Sequence, residues 1–150
     1  MWDEKSFLEA FHFNGSTFDK TAVLTGTLNA SWGSPGAILT ISAHNENPAT
    51  GIVWASMPIS LSADSAVVPG ILRAYNAETL DEIWNSQDVP ARDSLGNFAK
   101  FVPPVVVNGK VYMATFGNSV MVYGLLPVVA NNPHKLPAST QVMAAVTATR

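Results

Sequence analysis

Chemistry in a protein chain starts from side chains that ionise, coordinate or attack, and here they are few. The three histidines, His12, His44 and His134, are scattered, without the spacing by which imidazoles share a metal. His12 stands between Phe11 and Phe13, where a hydrogen-bonded structural imidazole is the expectation. His44 opens the polar stretch His44-Asn45-Glu46-Asn47-Pro48, a composition suited to a solvated turn. Adjacent carboxylates occur as Asp3-Glu4 and Asp81-Glu82. Neighbours on an extended chain point to opposite faces, so neither pair converges on one substrate. There are no cysteines, which removes disulfides, thiolate catalysis and cysteine-held zinc or iron–sulfur sites. No Ser-His-Asp order and no glycine-rich phosphate loop can be read. What remains is the polar connection Asp88 to Phe101, in which Arg92, Asp93, Asn97 and Lys100 could offer donors and acceptors to a polar ligand. The same residues also admit a structural reading, with Arg92 and Asp93 paired to each other or to solvent while Phe98 and Phe101 plug a hydrophobic floor.

The elements around that connection read as strands. Ten Gly and ten Pro punctuate short runs rich in Val, Ile, Leu, Phe, Tyr and Thr, and no stretch sustains a helical period. The clearest unit is Val105-Val106-Val107, then Asn108-Gly109, then Lys110 to Thr115. Asn-Gly supplies the two positive φ values of a tight turn, so these runs pair as a hairpin. Hydrophobic residues make up 47% of the 150 and charged residues 13%. A formal charge of −3 and a pI near 5.4 leave no clustered basic face for nucleic acid. No apolar run approaches the roughly 18 residues of a membrane helix, and Met1-Trp2-Asp3-Glu4-Lys5 does not open a signal peptide.

The chain repeats itself. Leu8-Glu9-Ala10-Phe11, Leu72-Arg73-Ala74-Tyr75 and Val120-Met121-Val122-Tyr123 share the order aliphatic, variable, small or aliphatic, aromatic. Gly51-Ile52-Val53-Trp54 and Gly109-Lys110-Val111-Tyr112 share a second pattern and precede the first in both later copies. This order predicts a four-stranded antiparallel meander near 37–42, 51–57, 70–76 and 81–86. Two strands should precede it, in Phe7 to Phe13 and Thr21 to Thr27. Three should follow, at 104–107, 110–116 and 119–125. Beyond Leu126, Pro127, Asn131, Asn132, Pro133 and Pro137 break the pattern, and 127–150 reads as a linker or disordered tail, or alternatively ends in the first strand of a following domain.

Residues 74–84, with Ala74, Asn76, Thr79 and Trp84 at their marked positions, resemble the repeat of pyrroloquinoline-quinone-type β-propellers. Leu80 stands where that repeat usually has Gly, and Asp81 where Lys is common, so the turn departs from the pattern. The resemblance implies an all-β partial propeller over 1–126, about one full blade with partial blades either side, in a larger extracytoplasmic protein. It implies that Trp84 clamps adjacent blades, and that the Asp88 to Phe101 connection crosses the face where ligands sit. The function expected is a non-catalytic scaffold or interaction module whose partners are the remaining blades, with self-association through open sheet edges. Two alternatives are a fragment of a quinoprotein oxidoreductase and a carbohydrate- or surface-binding module using Trp32 and Trp54. No cofactor is expected in this chain; pyrroloquinoline quinone and calcium would enter only with a quinoprotein parent, whose ring of blades and calcium-binding Glu, Asn and Asp these residues do not supply.

Overall fold

A computed structural model describes residues 1–30, 33–126 and 143–149. These form an all-β chain of three antiparallel sheets and one short helical turn. The first sheet pairs β1 (Phe7–Ala10) with β2 (Leu24–Asn29). The second is the meander β3 (Ile38–His44), β4 (Asn47–Pro58), β5 (Gly70–Asn76) and β6 (Glu82–Asn85). A single helical turn, α1 (Pro90–Asp93), leads to the third. That sheet is another meander: β7 (Val105–Val107), β8 (Lys110–Ala114), β9 (Ser119–Leu125) and β10 (Met143–Thr149). The three sheets do not close into a ring among the described residues. No helix there is long and apolar enough to cross a membrane.

Local sequence accounts for the turns. Asn108 and Gly109 both take positive φ, 51° and 69°, and Val107 pairs with Lys110 across them. Asn45 also lies in the left-handed region, at φ 53°. It lets β3 and β4 run to His44 and Asn47, so the polar stretch at 44–48 is a tighter hairpin than its composition predicts. After β5, the Asn76 side-chain carbonyl accepts from the Glu78 and Thr79 amides at 2.8 and 3.2 Å, and the Thr79 hydroxyl accepts from the Asp81 amide at 3.2 Å. Leu80 then turns with φ 60°, a conformation a glycine adopts without a Cβ penalty. Its side chain is buried, and that burial offsets the strain.

Period-two alternation carries the packing. On β4 and β5, Val53, Ala55, Met57, Ile71 and Tyr75 face the first sheet, where they join Trp2, Leu8, Ala30 and Leu80. The intervening Trp54, Leu72 and Ala74 face the third sheet and meet Val111, Met113, Met121 and Tyr123. The central meander is thus covered on both faces. Part of the segment read as linker or tail, 143–149, forms β10, which pairs along its whole length with β9 and supplies the last meander's fourth strand. Residues 127–142 and 150 lie outside the described residues.

Candidate functional site

The connection from β6 to β7 crosses the seam between the second and third sheets, where Asp93 and Leu95 are buried. Arg92 Nε and Nη2 donate to the two carboxylate oxygens of Asp93, each at 2.6 Å. This forked pair raises the already high pKa of the guanidinium. Asp93 is 0% exposed, a wholly buried carboxylate, while its neighbour keeps part of its guanidinium in water. The backbone carbonyl of Asp93 accepts from the Tyr123 hydroxyl at 3.2 Å, which ties the loop to β9. Burial pushes the Tyr123 phenol well above its ordinary pKa.

The other two polar residues lead elsewhere. Asn97 is exposed and works through its backbone: it bridges Pro69, and its carbonyl accepts from the Phe116 amide at 3.0 Å. Lys100 Nζ donates to the backbone carbonyl of Asp64 at 3.0 Å, reaching the β4–β5 connection. The Asp64 carboxyl is held below its ordinary pKa by hydrogen bonds from Ser34 and Ser62, with the Lys100 charge also acting in that direction. Lys100, Asp64, Phe98 and Phe116 line an open depression of about 540 Å³, which Arg92, Asp93 and Asn97 do not line. The candidate set therefore divides into a buried ion pair, a backbone bridge and a surface ammonium. Of the two aromatics expected to plug the floor, Phe98 is buried and Phe101 is 72% exposed. Gly70 fits this arrangement closely, since a Cβ there would lie 3.0 Å from Leu95 and 3.1 Å from Phe98.

The motif residues have structural partners. Ala74 pairs with Trp84 across β5 and β6, and the Trp84 ring meets Tyr123 edge-on at 5.5 Å. Trp54, considered above as a sugar platform, is 4% exposed, and its indole N–H donates to Ser42 Oγ at 2.9 Å. It has no face for a sugar to stack on. Trp32 lies outside the described residues. His12 Nδ1 lies 3.2 Å from an Asp19 carboxylate oxygen at the surface. Among the described residues no three His, Asp or Glu side chains stand close enough to share an ion.

A larger concavity lies in the other seam. About 630 Å³ of space opens between β1 and the central sheet, bounded by Leu8, Phe11, Phe18, Leu39, Ile41 and Leu80. It has no compact signature in the sequence because its walls come from six separate stretches of the chain. The one local signal was the alternation Leu39-Thr40-Ile41, which places two aliphatic residues on one face of β3. Compared with known protein families, curated proteins and solved structures, the chain has no match.

Proposed function

We propose that the chain is a non-catalytic scaffold or interaction module, three consecutive wedges of a larger β-propeller of the pyrroloquinoline-quinone-like kind, belonging to an extracytoplasmic protein. The observation that carries this reading is the central meander, buried on both faces by the sheets before and after it in sequence. Successive meanders stacked face to face are what a propeller requires of its blades. Trp84 supports the reading further, since it reaches from the last strand of one meander to Tyr123 of the next.

The outer face of the third sheet supports it too. Val105 and Val107 are 54% and 46% exposed, and Val120 lies on the same face. Such an apolar face is a docking surface for a further wedge. The candidate polar residues serve the scaffold: Arg92 and Asp93 pin the connection into the seam, and Lys100 holds it to the loop at Asp64.

The test is self-association. At micromolar concentration the 150-residue chain should sediment as oligomers, and the double variant V105K/V107K should sediment as a monomer with its thermal midpoint unchanged. A wild-type chain that stays monomeric, with those valines open to solvent, would remove the interaction module. Incubation with pyrroloquinoline quinone and calcium should leave no chromophore on the protein after gel filtration. A retained chromophore would turn the assignment toward a quinoprotein fragment.

A further inference from the structure

Two Asn-Gly dipeptides stand in the chain, Asn14-Gly15 and Asn108-Gly109, and both are exposed. Such a pair is open to ring closure, because glycine has no side chain to screen its amide nitrogen from the carboxamide before it. The two turns treat that carboxamide differently. Asn108 tips the hairpin in which Val107 pairs with Lys110, and its side chain has no hydrogen-bond partner among the described residues. Asn14 is held at both ends of its amide. Its Oδ1 accepts from the Ser16 and Thr17 amides, each at 3.0 Å, and its Nδ2 donates to Thr17 Oγ1 at 3.1 Å. The Asn14 backbone amide donates to the Thr17 carbonyl at 3.1 Å, and Phe13 bridges Phe18 on the flanks of the turn. Gly15 takes φ 95°, and beyond its two chain neighbours no atom lies within 4 Å of the place a Cβ would occupy.

Those contacts match what loss of the amide requires. The Gly15 nitrogen gives its proton to solvent and bonds to Asn14 Cγ, while the carbonyl electron pair moves onto Oδ1. That oxyanion forms on an atom already facing two backbone N–H groups, the arrangement that stabilises developing negative charge. The Cγ–Nδ2 bond then breaks. As Nδ2 gains a lone pair it takes a proton from the Thr17 hydroxyl beside it, which recovers one from water, and it leaves as ammonia. The product is a cyclic succinimide joining Asn14 to Gly15. Water adds to either of its two carbonyls and opens it to aspartate or isoaspartate, with no oxidation or reduction at any step.

We propose that Asn14 is a self-modification site, whose folded turn promotes loss of the side-chain amide through a succinimide with Gly15, while Asn108 in the same dipeptide is spared. The reacting atoms and their donors belong to four consecutive residues, so the site owes nothing to either end of the chain or to the blade reading. Its two products differ in effect. Aspartate keeps an acceptor for the Ser16 and Thr17 amides and adds one negative charge to the formal −3. Isoaspartate carries an extra main-chain carbon, which breaks the bond between the Asn14 amide and the Thr17 carbonyl and parts the Phe13 and Phe18 rings, now 4.9 Å apart.

The full chain is incubated at neutral pH in water carrying heavy oxygen, then digested in ordinary water and mapped by mass spectrometry. The isotope marks carboxylates made during the incubation and leaves those made during digestion unlabelled. The Asn14 peptide should take up label about tenfold faster than the Asn108 peptide, a gain well below what one such donor gives in an enclosed enzyme site. In denaturant the two rates should converge, since each site is then an Asn-Gly pair without a turn. Thr17→Val removes the proton donor and should slow Asn14 by about threefold or more, with Asn108 unchanged and the thermal midpoint showing that the variant folds. Equal labelling of the two sites in the folded chain, faster labelling of Asn108, a difference that survives in denaturant, or an Asn14 rate indifferent to Thr17→Val each overturns the proposal.

Discussion

The two seams of this molecule are built on the same aromatic contact and end up differently filled. In the first, Trp2 meets Tyr75 edge-on at 5.6 Å and 75°. In the second, Trp84 meets Tyr123 edge-on at 5.5 Å and 65°. Both tyrosines are buried and both hydroxyls donate, Tyr75 to Glu82 and Tyr123 to the Asp93 carbonyl. Yet the first seam leaves about 630 Å³ open, whereas the second encloses a carboxylate completely. The difference lies in the covering sheet, two strands on one side and four on the other. An aromatic pair sets the separation of two sheets at one point. Closing the seam takes a strand opposite each strand.

The contrast predicts a gradient of mutational cost. The largest effect belongs to the closed seam: Met113→Ala, at a fully buried position, should lower stability by about 3–4 kcal/mol in chemical denaturation. Arg92→Ala strips the Asp93 carboxylate of its forked partner and should cost about 2–3 kcal/mol, a value reduced by the exposure of the guanidinium. A loss no larger than a surface substitution would mean that the second seam is not closed as described.

A measure on which the seams should agree is alkaline unfolding. Burial raises both Tyr75 and Tyr123 above their ordinary pKa of 10.0. The unfolded chain therefore loses these protons first. Their contribution is complete below pH 10 and declines above it by about 1.4 kcal/mol per pH unit for each tyrosine. Tyr75→Phe and Tyr123→Phe should each halve that slope in stability measured against pH. Leu80→Gly in the first seam sets relief of a left-handed leucine against lost burial, for a net loss of about 1–2 kcal/mol by thermal denaturation. The smallest effect belongs to the open groove, where Ile41→Thr should change stability by no more than about 0.5 kcal/mol. A larger loss there would show the groove to be filled in solution.

Much of the strand order could be read in advance because it rests on local rules. β5 and β9 fall at the boundaries that alternation predicts, 70–76 and 119–125. Asn108-Gly109 makes the turn its φ preferences require. β10 was harder, because Ala and Thr carry little apolar signal and several prolines lie between it and β9. Leu80 broke the expected turn composition, and only its burial under the first sheet explains why a leucine is tolerated there. The candidate site was the least legible part. That Arg92 grips Asp93 follows from adjacency, but the reach of Lys100 to Asp64 depends on how two distant loops are brought together.

The meander connectivity also sets a timetable. Within each sheet every strand bonds to the strand next to it in the chain, so no pairing waits for distant sequence. A ribosome releasing this polypeptide would let the second meander assemble before the third had been synthesised. During that interval Trp54 and Leu72 would lie bare to the cytosol or to a translocation channel, until Val111 and Tyr123 arrived to cover them. The pace of elongation across the Asp88 to Phe101 connection then decides how long a nascent, half-clad intermediate is open to chaperones and to its neighbours on the polysome.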